Sequence, residues 1–255
     1  MALLLDGFVS DIEDVVKVDS GVSEVARAEG INIDHKLALA QGDCQLRISQ
    51  FVVNHGLESR LGTLNNVLRL DRVVVSDGLK RWFCLHTLQL FYSDAYYSVL
   101  NDRYGKRLEN FRIQATEAWD AYTDTGIACV YDPIPRGQIA RLDTNSIPIG
   151  AGTYYVAIAW LNSGGASGAL SDVVAVSLDA GQGLVVVPAN PPVGVTAFHV
   201  YIGTNERALW KQNETPLGAG GSYAASAVTI GSGEPPEPIQ TIDFVLRKSR
   251  MFTRG

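Results

Sequence analysis

Four histidines, three cysteines and a scatter of carboxylates are the side chains best equipped for chemistry in this chain, and their spacing limits what they can do. A nucleophilic site needs Ser or Cys beside a base, yet no GxSxG occurs and no Ser-x-x-Lys stands in a convincing context. Cys44, Cys84 and Cys129 lie far apart and form no CxxC. That argues against a disulfide scaffold or a cysteine-based zinc site and fits a reducing compartment. His86 falls in a very apolar helical pattern and reads as a satisfied core or interface residue, because a helix alone supplies no base–nucleophile pair. His55, near a helix C-terminus, reads as a partner for the last carbonyls. Neither HExxH nor an EF-hand loop is present, and Asp11, Glu13 and Asp14 complement a helix N-terminus. Glycines 218, 220 and 221, and 231 and 233, miss the dinucleotide and P-loop spacings and read as turns. Carboxylates abound, but sequence cannot place two of them across a sugar ring. The expectation is a protein with no catalytic residue, no cofactor and no metal.

The elements that would position these side chains divide the chain in two. Residues 1–130 carry a net charge of −5 and show apolar residues at helical spacing; residues 131–255 carry −1 and are rich in Gly, Pro, Val, Ser and Thr, as short strands and turns are. The Pro133 and Pro135 segment, followed by Gly137, cannot continue a helix and marks the boundary. In the first part, Ser10-Asp11-Ile12-Glu13 matches a capping box. Ser20 is read as the cap of a second helix ending at Gly30, and Asn32 as the cap of a third running to about His55. Leu37, Ala40, Cys44, Ile48, Phe51, Val52 and His55 share the packed face of that third helix, while Lys36, Asp43, Arg47 and Gln50 point elsewhere. Residues 56–75 are ambiguous, with Arg72-Val73-Val74-Val75 looking extended. Ser76 is expected to cap a helix to about Leu100 that is apolar around most of its circumference, and a further helix from Lys106 to about Thr125 stops at Gly126.

In the second part, Tyr154, Val156, Ile158 and Trp160 alternate with smaller residues, and further strands are expected at 172–178, 183–187, 196–203 and 208–213. Many short strands with Pro/Gly turns and no intervening helix indicate an antiparallel sandwich. The fold class expected is α+β multidomain: a helical bundle over 1–130, a β-sandwich over 131–238 and a C-terminal arm over 239–255.

Composition excludes other classes. The formal charge of −6 lacks the footprint of a general nucleic-acid binder. No basic n-region with a cleavage site and no apolar run of about 20 residues is seen, so a soluble, unexported protein with no membrane contact is expected. Interaction remains. Trp82, Phe83, Phe91, Tyr92, Tyr96 and Tyr97 encircle one helix and are explained most cheaply as core, with a subunit interface as the other reading. The tail alternates Ile242, Phe244 and Leu246 before Arg247, Lys248 and Arg250, as a strand added to a partner with an acidic surface would.

Leu79-Lys80-Arg81-Trp82-Phe83-Cys84-Leu85-His86-Thr87-Leu88, Tyr92-Ser93-Asp94-Ala95-Tyr96 and Leu100-Asn101-Asp102-Arg103-Tyr104 resemble the helical head-to-tail adaptor (connector) proteins of tailed bacteriophages, as do Asp14-Val15-Val16-Lys17-Val18-Asp19-Ser20-Gly21-Val22 and Leu37-Ala38-Leu39-Ala40. Gly152-Thr153-Tyr154-Tyr155-Val156-Ala157 and Gly194-Val195-Thr196-Ala197-Phe198-His199-Val200-Tyr201-Ile202-Gly203-Thr204 look like a fibronectin type III or immunoglobulin-like module. Together the two resemblances cover about residues 7–230. They imply a virion neck protein, assembled in the host cytoplasm as a homo-oligomeric ring of twelve copies. Its partners would be the portal and a downstream neck or tail-completion protein, with DNA only as passing cargo. The helical part would form the channel wall, where an acidic surface lets phosphate slide past. Ile242, Phe244, Leu246, Arg247, Lys248 and Arg250 become portal-contact candidates, though the sandwich inserted before them departs from the compact adaptor pattern. The alternative is a carbohydrate-binding or hydrolytic tail-associated protein; it requires Tyr154, Trp160, Tyr201 and Trp210 to form an exposed platform, and alternation puts Tyr154 and Trp160 inward.

Overall fold

The computed structural model describes residues 2–58, 69–99, 102–138, 140–225, 233–236 and 240–247. The chain forms two compact units, one of Gly7–Tyr131 with Ile242–Gly255 and one of Asp132–Thr241 with Met1–Asp6. Helices and antiparallel sheets together make a mixed α+β protein.

The helical unit holds α1 (Ile12–Val18), α2 (Val22–Glu29), α3 (Ile33–Glu58), α4 (Asp77–Val99), α5 (Gly105–Thr125) and a short strand β1 (Ile127–Cys129). Three helix starts differ from the sequence reading by one residue, α5 beginning at Gly105 rather than Lys106. Asp11, not Ser10, caps α1, its Oδ1 accepting from the Asp14 N–H at 2.9 Å. Either side chain can cap, but a carboxylate also meets the positive end of the helix dipole. At α2 the cap residue is Gly21 rather than Ser20, and Asp19 Oδ1 accepts from the Gly21 N–H. The other signals hold: Asn32 Oδ1 accepts from His35 N–H, Ser76 Oγ from Leu79 N–H, and α2 stops at left-handed Gly30. Residues 59–68 of the ambiguous stretch lie outside the described residues. Val73 and Val74 run extended beside β1, with Val74 N–H donating to the Ala128 carbonyl at 2.9 Å.

The all-round apolar pattern of α4 is satisfied within its own unit, where α4 packs against α5, α3 and α1. Leu79, Trp82, Phe83, Leu85, Leu88, Phe91, Tyr92 and Ala95 are all buried. Burial of so many large side chains, at about 1.5–3 kcal/mol each, makes α4 the centre of this unit.

The other unit contains β2 (Arg141–Asn145), β3 (Gly152–Asn162), β4 (Val174–Leu178), β5 (Gly183–Val187), β6 (Val195–Asn205), β7 (Ala208–Lys211), β8 (Leu217–Gly218) and β9 (Tyr223–Ala224). One sheet runs β2-β5-β9 and the other β4-β3-β6-β7, with β8 added to β6; every pairing is antiparallel. Tyr154, Val156, Ile158 and Trp160 of β3 and Phe198, Val200 and Ile202 of β6 meet Leu184 and Val186 of β5 in one buried cluster. The alternation thus aims as the sequence indicates. The opposite face of β3 and β6 is covered as well: Ala157, Ala159 and Tyr201 are buried beneath Leu170 and Val173. Strand β2 was absent from the sequence reading because its Arg-Leu-Asp-Thr-Asn run has a single large apolar residue. Residues 2–6 join this unit too: Leu3 and Leu4 are buried, and the Asp6 carboxylate accepts from Leu3 N–H and Arg136 N–H.

The chain's last described element, β10 (Phe244–Leu246), returns to the helical unit and pairs antiparallel with β1, Ile127 opposite Leu246 and Cys129 opposite Phe244. A tail without an intramolecular partner was expected at 239–255. Instead β1 offers an edge, and backbone groups buried beside it are satisfied by β10.

Candidate interaction surfaces

The six tail residues separate into different environments. Leu246 is buried against its own unit, so it is not available to a partner. Phe244 is half-buried, its ring 4.8 Å from Tyr131, and Ile242 is exposed. Arg247 Nε donates to the Thr125 carbonyl at 3.2 Å, and Asp243 accepts from Tyr131 N–H at 2.7 Å through its carboxylate. Gly126 is shaped for this seat: its φ is +115°, and a Cβ there would come within 3.0 Å of Arg247 Cγ and 3.1 Å of Val245 Cβ. Lys248 and Arg250 lie outside the described residues.

The aromatic interface candidates are mostly core. Trp82, Phe83, Phe91 and Tyr92 are fully buried, Tyr96 is half-buried, and only Tyr97 is largely exposed. Tyr92 stacks on Phe111 at 5.4 Å, its hydroxyl donating to Asp19 Oδ2 at 2.5 Å and accepting from Arg107 at 2.8 Å. Burial, helped by the bond to Asp19, pushes its hydroxyl up to about 12. Trp82 lies between the parallel ring of His86 at 5.2 Å and the tilted ring of Trp119 at 4.8 Å, with the Arg47 guanidinium over both indoles. The interface reading of Trp82, Phe83, Phe91 and Tyr92 is therefore corrected: helices of the same chain supply the neighbours that α4 demands.

The titratable side chains weighed for chemistry have structural partners. His86 is buried, with Nε2 at 2.8 Å from Asp43 Oδ2 and Nδ1 at 3.4 Å from Gln89 Oε1, so both ring nitrogens have partners. Asp11 is a helix cap, while Asp14 pairs with Lys17 at 2.7 Å, whose hydrogen bond draws the Asp14 carboxyl below its usual range. All three cysteines are free and buried, and burial pushes the Cys44 and Cys129 thiols up to about 12, away from the reactive thiolate. Among the described residues no cluster of three or more His, Cys, Asp or Glu is placed to hold a metal, and no helix is long and apolar enough to cross a membrane. The sugar-binding platform does not assemble from its four aromatics, since Tyr154, Trp160 and Tyr201 are buried and Trp210 is half-buried.

What the sequence reading missed is on α3. Leu39, Leu46 and Val53 are 44%, 58% and 56% exposed, at seven-residue intervals on the side away from the packed face. The signal was present in the spacing. Arg47 and Gln50 on the same helix are exposed beside them, so the stripe is interrupted by polar side chains. Lys36 is in fact buried in an ion pair with Asp94, and Asp43 and Arg47 are engaged with His86 and the two indoles.

No family model, no curated protein and no solved structure matches this chain.

Proposed function

We propose that this chain is a structural protein of a tailed-phage neck, a head-to-tail adaptor that forms a ring between portal and tail through which DNA passes. The β-rich unit is read as a fibronectin type III or immunoglobulin-like decoration. The observation that carries the reading is the strand on which the basic end begins. β10 ties the chain to the acidic helical unit, so Arg247, Lys248, Arg250 and Arg254 follow directly from a fixed strand. A basic segment that follows in sequence on an acidic body suits a contact with an acidic partner surface while the body itself repels passing phosphate. The motif resemblance of residues 79–104 supplies the rest of the case.

The portal contact is reassigned accordingly. Ile242 and Phe244 contribute only their outer faces, Leu246 is excluded, and Arg247 with the residues after it becomes the docking segment. Truncation after Arg247 preserves β10 and separates binding from folding; removal of residues 240–255 does not. Co-sedimentation with portal rings is expected to be lost in the shorter chain and present in the full one. Equal co-sedimentation of both removes the basic end from the contact. The carbohydrate reading is disfavoured by the buried aromatics, and a glycan titration is expected to give no shift.

A further inference from the structure

Helix α5 carries charges that run against its own dipole. Glu117, Asp120 and Asp124 are exposed toward its C-terminal end, where the last carbonyls already make a helix negative, and no basic residue stands in its last turn. Together with Glu109 and Ile113 they recur at intervals of four, four, three and four residues, so all five share one outward face. Ile113, 47% exposed, stands at the middle of that face beside a shallow recess of about 280 Å³ whose other walls are Arg112, Thr116 and Glu117.

The chain itself delivers cations to this end of the helix. β1 follows directly on α5, and β10 runs antiparallel to β1, so β10 ends at the helix C-terminus, where Arg247 Nε donates to the Thr125 carbonyl at 3.2 Å. We infer that residues 248–255 continue from there in extended form, laid antiparallel along the outward face of the same α5. The spacing selects this occupant. An extended residue advances about 3.3 Å and a helical one about 1.5 Å, so each residue of the segment passes about 2.2 of the helix. Counted from Arg247 beside Thr125, Lys248 comes level with Asp124, Arg250 with Asp120, Phe252 with Ile113 and its recess, and Arg254 with Glu109. These four are alternate residues, which an extended chain turns to one side. A cation therefore meets a carboxylate at three levels, and the aromatic ring meets the apolar residue at the fourth. Arg254 makes the weakest contact, because Glu109 already holds Arg112 at 2.8 Å. Exposed ion pairs are weak singly, so the segment is held against α5 about tenfold over its released form and salt frees it. Any partner that takes the basic end must first displace it from α5.

This inference does not rest on the neck reading, because it concerns the isolated chain. Portal rings left bare would refute the neck reading and leave the segment on α5, whereas a segment absent from α5 refutes this inference alone. A water-soluble carbodiimide joins an amine to a carboxylate in contact with it as an amide and takes up the water released. On the full chain in low salt, at about 5 μM to disfavour association, it is expected to link Lys248 to Asp124 or Asp120 within single chains, read by peptide mass mapping. Combining Glu117→Gln, Asp120→Asn and Asp124→Asn takes away carboxylates that the helix dipole disfavours, so the far-UV circular dichroism should be unchanged. Tryptic cleavage after Arg250 in low salt should then be about tenfold faster than in the native chain. Salt at about 1 M should bring the two proteins to the same rate. Lys248 linked chiefly to other carboxylates or to a second chain, no link of Lys248 at all, or equal cleavage of the two proteins in low salt each overturns the proposal.

Discussion

Replacing Leu246 by alanine tests whether the C-terminal strand is part of the helical unit's stability. Leu246 is 6% exposed and stands opposite fully buried Ile127. Leu→Ala in a packed site costs about 2–5 kcal/mol, and the lower half of that range applies where a short edge strand can settle into the space. With about 2.5 kcal/mol lost and a urea dependence near 2 kcal/mol per molar, the midpoint should fall by about 1 M. The helical far-UV signal is the right probe, because every α-helix of the described residues belongs to this unit. Val245→Ala is the internal control: Val245 is 44% exposed on the same strand and should cost no more than about 0.5 kcal/mol. If neither substitution shifts the helical transition, β10 contributes nothing and its pairing with β1 is not a stable feature; equal shifts would refute the assignment of Leu246 as the buried anchor of the strand.

Other outcomes follow from single contacts. Tyr92→Phe keeps the stack on Phe111 but deprives Asp19 and Arg107 of the hydroxyl that links them, and should cost about 1–3 kcal/mol by urea titration. Gly126→Ala adds a side chain at positive φ against Val245 and Arg247 and should cost about 1–3 kcal/mol, read by the same helical signal. Asp6 is raised above its ordinary 3.8 chiefly by burial. Its raised folded value means that the folded chain binds the proton more tightly, so its contribution is full below 3.8 and is lost as pH rises through the raised value. Tryptophan-monitored unfolding across about pH 3 to 6 should show that slope, and Asp6→Asn should flatten it. A thiol-exchange reagent at about pH 8 should find no rapidly reacting cysteine in the native chain, since all three are buried and unactivated. Release of one equivalent within seconds contradicts that environment.

Helix starts, helix stops and the main strands were legible because each is written in local chemistry: Asn32 and Ser76 at helix starts, Gly30 and Gly126 at helix ends, and the Tyr154 to Trp160 alternation. What local patterns do not encode is which distant segment completes a surface. Nothing near Phe244 says that Ile127 waits for it more than a hundred residues earlier, and nothing near Leu4 says that its burial belongs with the strands. The aromatic ring around α4 was read correctly as needing neighbours on several sides, but periodicity cannot tell a neighbouring helix of the same chain from one of another. The α3 stripe shows the opposite error. Lys36 looked like a solvent marker but is buried beside Asp94, whereas Arg47 and Gln50 are exposed as their types indicate. Charge by residue type describes a face only when those charges are free.

The neck reading is tested most directly by electron microscopy of the full chain mixed with purified portal rings. The expected image is a portal with an added coaxial ring at one end, absent when the chain is truncated after Arg247. Portal rings left bare beside folded, unattached protein would contradict it.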